Sequence, residues 1–378
     1  MRQDFTFPPL EPVRKKPRIF PIFLPFSGCP QRCVFCAQEV QTGSVRISVP
    51  LALERAGKAL EKIRKEMACG EDYPAGHARE PLELAFFGGT FTALPAGDLG
   101  ACLDFAACWQ DRGVVGRLRC STRPDALTPT LLSRLGKAGF TCVELGVQSF
   151  SDRALAASCR GYDGEAARRG CAMVAATVAA MGGENGISLG IQLLPGLPGH
   201  SMDDALADVE TSIGLKPACV RLYPCLVLEG TELAALWRKG GYRPWEFEPT
   251  VGFLSRACAQ FQKAGIAVIR MGLAEEPGLE RHVLAGPRHP ALGAMVRARV
   301  LYSYVAERVG YFLAGEGGAS LHAGGGGYIS LYVPRRFQGE FWGHRGELVS
   351  VYAELGISRK NVFWRDEESF MLSGRDNS

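Results

Sequence analysis

The stretch PFSGCPQRCVFC, residues 25–36, places Cys29, Cys33 and Cys36 within eight residues. Its first two residues are also the last two of an apolar run, RIFPIFLPF (18–26). This run predicts a β-strand, although Pro21 weakens the prediction. Proteins of the α/β class place their functional sites in loops at the carboxyl ends of strands. The stretch therefore predicts a thiol-rich site at the end of the first strand of an α/β fold.

The chain beyond the cysteines alternates predicted strands with predicted helices. Such alternation is typical of βαβ units and of a parallel sheet, which could be doubly wound or an incomplete barrel. The predicted strands after the first are LELAFF (82–87), RLRCST (117–122), TCVELGVQ (141–148), ISLGIQLL (187–194), CVRLYPC (219–225) and IAVIR (266–270). The predicted helices cover 50–67, 97–110, 128–138, 151–157, 163–181 and 201–214, with helical pieces to about 264.

Three of these strands have one apolar face and one polar or small face. In 141–148, Val143, Leu145 and Val147 alternate with Cys142, Glu144, Gly146 and Gln148. The strands 187–193 and 117–123 repeat the pattern, with Gln192 on one polar face and Arg117, Arg119, Ser121 and Arg123 on the other. A closed eight-stranded barrel fills its interior with branched apolar side chains. The polar faces favour a partial barrel around a polar ligand, with a polar sheet edge as the alternative.

Composition and charge are those of an ordinary globular protein. The chain has 378 residues, of which 47% are hydrophobic and 22% charged, with a formal net charge of +4. This small excess does not establish nucleic-acid binding. Arg14, Lys15, Lys16 and Arg18 form a basic arm, which could be solvated or could contact RNA.

Cysteine usage and the first residues predict a cellular location. Thirteen cysteines occur without a secretion signal, which predicts a reducing cytoplasm, and the odd number argues against a complete disulfide framework. Since no run of about 18 apolar residues occurs, we expect no membrane contact.

The spacing Cys29-x3-Cys33-x2-Cys36 restricts the kind of metal site. Structural zinc prefers four ligands, usually from two Cys-x2-Cys pairs, and the chain contains no second pair. A thioredoxin-like redox motif would leave Cys29 unexplained. A 4Fe–4S cluster needs four ligands, so three cysteines would leave one iron open to an external ligand.

In this motif the sequence resembles the radical S-adenosylmethionine (radical SAM) superfamily, whose hallmark is Cys-x3-Cys-x2-Cys with an aromatic residue before the last cysteine, here Phe35. The resemblance implies that S-adenosylmethionine (SAM) occupies the open iron of a 4Fe–4S cluster. Reductive cleavage of SAM would then give a 5′-deoxyadenosyl radical that abstracts hydrogen from a substrate. It also implies that Gly88, Gly89 and Thr90 of FFGGT (86–90) approach the methionine amino group.

Further segments over roughly residues 20–300 resemble one branch of this superfamily. That branch includes the catalytic subunit of Elongator, a tRNA-modifying enzyme, and more distantly the oxygen-independent coproporphyrinogen oxidases. The segments are STRPD (121–125), ELGVQS (144–149), RG (160–161), QLLPGLPG (192–199), RLYPCLVLEGTEL (221–233) and GPRHPALGAMVRAR (286–299). The resemblance implies cofactor contacts for Ser121, Arg123, Glu144, Gln148, Arg160 and Gln192, with Leu222 and Tyr223 near the adenine.

The chain departs from that branch in three respects. Its cysteine loop is the short form, Tyr162 replaces a histidine after RG, and about 80 residues remain after the match. We expect no acetyltransferase domain in so short a remainder, so Elongator's reaction cannot be carried over whole. No second compact cysteine motif supports an auxiliary cluster, and Cys219, Cys225 and Tyr223 are candidates for quenching a radical.

The C-terminal residues predict a separate small module. A glycine run (324–327) precedes a strand YISLYVP (328–334), a helix RRFQGEFW (335–342), the segment GHRG (343–346), a helix ELVSVYAELG and a strand NVFWRD (361–366). This order resembles the core of a KH domain, which clamps a nucleic-acid backbone on a Gly-x-x-Gly loop. Gly343, His344, Arg345 and Gly346 are therefore candidate RNA contacts, although such a segment is often only a tight turn.

The sequence thus predicts an α/β radical SAM enzyme with a partial parallel (β/α)6-type barrel and a small C-terminal α/β module. The predicted divisions are a basic arm (1–18), the barrel (19–265), an extension of the core (266–323) and the small module (324–378). The expected partners are a one-electron reductant, such as flavodoxin or ferredoxin, and a tRNA substrate. A small-molecule or tetrapyrrole-like substrate and a non-catalytic iron–sulfur RNA-binding protein are the alternatives.

Overall fold

The computed structural model describes residues 2–10, 17–69, 80–180, 186–273, 278–314 and 328–375. Outside these ranges lie Arg14, Lys15 and Lys16 of the basic arm, the glycine run 324–327 and residues 70–79. The chain divides into two compact units. The barrel unit comprises residues 15–247 and 266–288, and the small unit comprises residues 1–14, 248–265 and 289–378.

The described residues contain thirteen strands. They are β1 Arg2–Phe7, β2 Ile19–Phe23, β3 Leu82–Phe87, β4 Val115–Thr122, β5 Phe140–Gln148, β6 Ser188–Leu193, β7 Cys219–Leu222, β8 Val227–Leu228, β9 Ala267–Met271, β10 Val283–Ala285, β11 Tyr328–Pro334, β12 Val362–Arg365 and β13 Phe370–Arg375.

Twelve α-helices accompany these strands in the described ranges. They are α1 Gln38–Thr42, α2 Val49–Cys69, α3 Ala96–Asp111, α4 Pro129–Lys137, α5 Asp152–Ala157, α6 Gly164–Ala180, α7 Met202–Gly214, α8 Glu232–Arg238, α9 Phe247–Lys263, α10 Leu279–His282, α11 Leu292–Leu313 and α12 Val349–Glu354. None of the helices that the structure describes is long and apolar enough to cross a membrane.

Seven parallel strands form the sheet of the barrel unit, in the order β2-β3-β4-β5-β6-β7-β9. The sheet curls into half a barrel and does not close, so β2 and β9 are its edge strands. Each strand pairs with its sequence neighbour, apart from β8, which pairs with β10 in a separate two-stranded sheet. The prediction of a partial parallel α/β barrel is confirmed.

The two faces of the central strand β5 differ as the sequence predicts. Val143, Leu145 and Val147 are completely buried on the face that α4 and α6 cover. On the other face Glu144 accepts a hydrogen bond from Gln192 of β6 (3.1 Å), and Gln192 also donates to Ser121 of β4 (3.1 Å). The polar face of the sheet is therefore the inside of the half-barrel.

Local hydrogen bonds fix the starts of the helices that cover this sheet. At α7, the Ser201 hydroxyl accepts from the Asp204 amide (3.1 Å), and the Asp204 carboxylate accepts from the Ser201 amide (2.9 Å). This capping box satisfies amides that have no partner within the helix. At α4, Thr128 caps the first turn and Pro129 occupies the first helical position, where a missing N–H costs nothing.

The small unit has a mixed sheet in the order β1-β13-β11-β12, in which only β11 and β12 are parallel. Its core packs buried residues of these strands against α11 and α12. They include Phe7, Val305, Phe312, Leu331, Val333, Phe341, Tyr352, Phe370 and Leu372. A small α/β region at the C-terminal end of the chain is thus confirmed.

Two elements of the small unit differ from the sequence predictions. Residues 2–7 of the expected basic arm form β1, which pairs antiparallel with β13 and buries Phe7. The segment after β11 contains only a 3-10 helix, Arg335–Phe337, where the KH-like order requires an α-helix. Gly339 and Gly343 interrupt this segment, and glycine disfavours an α-helix by about 1 kcal/mol relative to alanine.

Candidate active site

A cavity of about 530 Å3 lies at the carboxyl ends of the barrel strands. Most of the residues that the sequence proposes for cluster or cofactor binding line it. They are Cys29, Cys33, Phe35, Cys36, Gly88, Gly89, Thr90, Ser121, Arg123, Gln148, Arg160, Gln192 and Tyr223. Two proposed residues do not line it. Glu144 is buried behind Gln192, and Leu222 is completely buried between the inward-facing Arg221 and Tyr223.

The three cysteines of the motif are free thiols grouped on one wall of this cavity. Burial and the proximity of Cys33 and Cys29 raise the pKa of the Cys36 thiol to about 12. Three thiolates would therefore repel one another here unless a cationic group compensated them. Among the described residues, no three His, Cys, Asp or Glu side chains converge on a single metal ion. A 4Fe–4S cluster needs no such convergence, because each thiolate binds a different iron.

Arg160 places a buried cation against the motif. Its guanidinium donates to the Cys33 sulfur (3.0 Å) and to the Tyr162 hydroxyl (2.6 Å). Tyr162 in turn donates to the Gly146 carbonyl oxygen (2.8 Å), which fixes the ring although a tyrosine replaces the expected histidine. Burial alone would lower the pKa of Arg160, but Tyr162 and Cys33 raise it above its ordinary value. The side chain stays charged and opposes a thiolate at Cys33.

The glycine motif and the cysteine loop pack backbone against backbone. The Thr90 amide donates to the Ser27 carbonyl (2.7 Å), and a Cβ atom on Gly89 would overlap that carbonyl oxygen. Gly89 also has a φ of +57°, which favours glycine. The side chain of Gln38 joins the two segments, because its oxygen accepts from the amides of Phe26 and Gly89 (2.9 Å to Gly89).

A network of buried charges lies beneath the cavity floor. The Glu144 carboxylate accepts from Arg119 of β4 (2.9 Å) and from the Nη2 of Arg221 of β7 (2.9 Å). Arg119 also pairs with Glu83 of β3 (2.9 Å). Burial would raise the pKa of Glu144, but Arg221 and Arg119 outweigh it and lower the pKa below 4.5. The ionised network links four strands of the half-barrel.

The remaining residues that the sequence proposes lie in several places. Cys219 is buried in contact with Cys142, and Cys225 is buried near Tyr242, so of the three quenching candidates only Tyr223 lines the cavity. Gly343, His344, Arg345 and Gly346 belong to the small unit, where His344 to Gly346 form a 3-10 turn.

Three residues that hold parts of the candidate site in place were not assigned a role from the sequence. Gln38, Arg119 and Arg221 act through partners at least 12 positions away, so spacing alone could not reveal them. A polar residue on an inward strand face was the available signal for Arg119 and Arg221.

Two family models match the chain in sequence. The model of the radical SAM superfamily matches residues 23–210, and the model of the radical SAM C-terminal domain matches residues 217–301. The first match includes the three cysteines and the glycine motif, and the second begins just before β7.

Several proteins of known name resemble the chain. The tRNA uridine(34) acetyltransferase of Methanocaldococcus jannaschii is 29% identical over 264 residues, which are 61% of this chain and 46% of that protein. The Elongator complex protein 3 of Saccharomyces cerevisiae is 27% identical over 205 residues, 49% of this chain and 35% of that protein. The chain thus spans half or less of the length of these two relatives.

Among solved structures, Methanocaldococcus infernus Elp3 with an N-terminal deletion (1–46) has a similar fold. The TM-score is 0.55 at 22% sequence identity, and the match covers 78% of this chain and 64% of that one. At this identity the likeness concerns the fold alone.

Proposed function

Since the chain belongs to the radical SAM superfamily, we propose that it cleaves SAM reductively and uses the product to abstract hydrogen from a tRNA substrate. The observation that carries the proposal is the grouping of Cys29, Cys33 and Cys36 in one cavity with the glycine motif and the polar inner strand faces. A purely structural cluster would not need the polar side chains that line the rest of this cavity.

The cofactors of this enzyme are a 4Fe–4S cluster and SAM. The donor set fits the cluster, since three thiols leave one of its four irons for SAM. When bound, the two cofactors supply one-electron cleavage of the sulfonium and, from it, the capacity to abstract a hydrogen atom. We propose that Cys29, Cys33 and Cys36 hold the cluster.

We propose that other residues of the cavity bind and orient SAM. Gly88, Gly89 and Thr90 offer backbone atoms to the methionine end of SAM, because two residues without side chains permit close approach. Ser121, Gln148 and Gln192 present hydroxyl and amide groups that suit the ribose and the carboxylate, and Phe35 and Tyr223 offer apolar surface to the adenine. Glu144 fixes Gln192 in place and does not itself reach the cavity.

A tRNA substrate is supported by three observations. The relatives named above are a tRNA uridine(34) acetyltransferase and an Elongator protein. Among the residues that the structure describes, the cavity is lined by five arginines and by no acidic residue, which suits an anionic substrate. The turn Gly343–Gly346 presents the exposed Arg345, and we propose that it contacts the RNA backbone. A flavodoxin or ferredoxin would supply the electron.

The first experiment tests the cofactor assignment. Anaerobically reconstituted protein should hold about four irons per chain and, with dithionite, convert SAM to 5′-deoxyadenosine. The triple variant Cys29→Ala/Cys33→Ala/Cys36→Ala should lose both properties. Cys108→Ser, which changes an exposed thiol, is the matched control and should keep both. Retention of the cluster by the triple variant would refute the ligand assignment.

The second experiment tests the substrate. Mass spectrometry of tRNA nucleosides from a deletion strain should show the loss of one modified nucleoside, restored by the wild-type gene and not by the triple cysteine variant. An unchanged nucleoside profile, together with active SAM cleavage in vitro, would redirect the search to small-molecule substrates.

A further inference from the structure

The charges that line the active-site cavity are unbalanced. Five arginines face it, and its described lining contains neither aspartate nor glutamate; the five are Arg32, Arg123, Arg160, Arg221 and Arg270. An arginine at the wall of a cavity is stable when an anion or water meets its guanidinium. An arginine of the lining that has no such partner within the protein therefore indicates where a ligand brings negative charge.

Two of the five already have an anionic partner, and a third acquires one when the cluster binds. Arg123 pairs with Asp125 (2.8 Å), and Arg221 pairs with Glu144 (2.9 Å). Arg160 donates to the sulfur of Cys33, which becomes a thiolate when it binds iron. These three charges are compensated without any substrate.

Arg270 differs from them. It lies on the edge strand β9, in register with Arg221 of β7, and its side chain has no hydrogen bond or ion pair with any residue that the structure describes. Arg32 is exposed and its guanidinium lies 4.2 Å from the Phe26 ring centroid, so water and the ring satisfy it. Arg270 is therefore the partly buried cation of the described lining that has no anionic partner.

The surroundings of Arg270 suggest what brings that anion. The other edge strand, β2, contributes Ile19, Pro21 and Phe23 to the same cavity, next to Phe87 of β3. The rings of Phe23 and Phe87 are 6.2 Å apart, and Ile19 is 41% exposed. The open side of the half-barrel thus combines an apolar wall with a cation. A nucleotide, with a flat base and a phosphate, matches both features.

We propose that Arg270 binds a phosphate group of the substrate, with Arg221 in register beside it, while the β2 side of the cavity packs against the attached nucleoside. A planar guanidinium can donate two parallel hydrogen bonds to a phosphate, which makes it suited to this task. The inference rests on the proposed function, because it specifies which part of an RNA substrate enters the cavity. It assigns Arg270 to substrate and not to SAM.

The test uses reconstituted holoenzyme with SAM bound and two probes, uridine 5′-monophosphate and uridine. A pyrimidine is chosen because it does not compete with the adenine of SAM, and the two probes differ only in the phosphate. Isothermal titration calorimetry of the wild type should show tighter binding of the nucleotide than of the nucleoside. Arg270→Gln should weaken nucleotide binding about tenfold or more and leave uridine binding unchanged, since a charge-assisted hydrogen bond is lost.

Two further variants make the result specific. Arg270→Lys keeps the charge and should retain part of the phosphate preference. Arg134→Gln removes an equal charge from the exposed face of α4 and should bind both probes like the wild type. Equal nucleotide affinity in Arg270→Gln and the wild type would overturn the proposal, and so would an equal loss for both probes. The wild-type holoenzyme used in these titrations is first shown to cleave SAM, so failure of this inference is distinct from failure of the proposed function.

Discussion

The guanidinium of Arg160 donates a 3.0 Å hydrogen bond to the sulfur of Cys33, across 127 positions of the chain. Arg160 follows α5 and precedes Tyr162, whose hydroxyl holds the guanidinium in place. A fixed, buried positive charge thus lies beside one of the three thiols of the motif. Cluster potentials depend on nearby charge and on hydrogen bonds to sulfur, so this contact should influence electron transfer.

Replacing Arg160 with glutamine should lower the reduction potential of the cluster. Loss of the positive charge destabilises the reduced, more negative state more than the oxidised one. A tenfold effect on that one-electron equilibrium corresponds to about 59 mV, and we expect a fall of at least this order. Potentiometric titration followed by electron paramagnetic resonance measures the change.

The control for this prediction is Arg169→Gln. Arg169 lies on α6 with a side chain 63% exposed, so its loss changes net charge equally without changing the surroundings of Cys33. An Arg160→Gln protein with a full cluster and the wild-type potential would show that the contact has no electrostatic role.

Glu144→Gln should destabilise the protein strongly. The carboxylate is 1% exposed and bonded to Arg119 and Arg221. A neutral amide leaves the buried guanidinium of Arg221 without its carboxylate partner, while Arg119 keeps only Glu83. Breaking a buried ion pair from one side costs about 3–5 kcal/mol. Urea denaturation at pH 7 should show a loss of this size in the free energy of unfolding, whereas Glu165→Gln, at an exposed pair, should change it by less than about 1 kcal/mol.

The same carboxylate predicts a pH dependence. Folding lowers the pKa of Glu144 below 4.5, so its contribution is complete above the unfolded value and is lost as pH falls through the lowered, folded value. The wild type should therefore lose stability below about pH 4.5 more steeply than Glu144→Gln does. If the free energies of unfolding of the two proteins fell equally from pH 6 to pH 3, the pH dependence would not come from Glu144.

Short-range patterns and long-range pairing account for what could and could not be predicted from sequence. Cys29, Cys33 and Cys36 act together because they are neighbours in the chain, and alternation along β5 showed which face holds Glu144. The partners of Glu144 depend instead on the register of β4 against β5 and on that of β7 against β6 and of β6 against β5, which packing of the whole sheet sets. The β1 strand illustrates the same limit, because its partner β13 lies at the other end of the chain.

Gln38→Ala should weaken SAM binding without removing the cluster ligands. Its side-chain oxygen accepts from the Phe26 and Gly89 amides and so ties the cysteine loop to the glycine motif. Leaving partly buried amides unpaired costs about 1–3 kcal/mol, enough to shift the Gly89 backbone. We expect the KM for SAM to rise about tenfold while kcat changes little, and calorimetry should report the same loss of affinity.

Gln38→Glu is the informative companion variant. A carboxylate keeps an acceptor oxygen at the same position, so SAM affinity should return close to that of the wild type. If Gln38→Ala binds SAM as tightly as the wild type, or if both variants weaken binding equally, Gln38 does not position the glycine motif.

The RNA role proposed for the turn Gly343–Gly346 is best tested at its arginine. The two glycines have φ values of +73° and +81°, and a Cβ on Gly343 would lie 2.7 Å from the Glu347 side chain. Substitution of either glycine would therefore disturb the fold as well as any RNA contact. Arg345→Gln removes one exposed charge, and Arg335→Gln is the matched control, because Arg335 lies in the same unit and pairs with Asp366 (2.8 Å).

If the turn holds the RNA backbone, Arg345→Gln should weaken tRNA binding several-fold and lower the dependence of log K on log salt by about one unit. The control should bind like the wild type, because its charge is already compensated by Asp366. Fluorescence anisotropy with labelled tRNA between about 50 and 200 mM salt measures both quantities. Identical affinities and identical slopes for Arg345→Gln and the wild type would exclude a backbone contact by this arginine, since a lost phosphate contact must reduce counterion release.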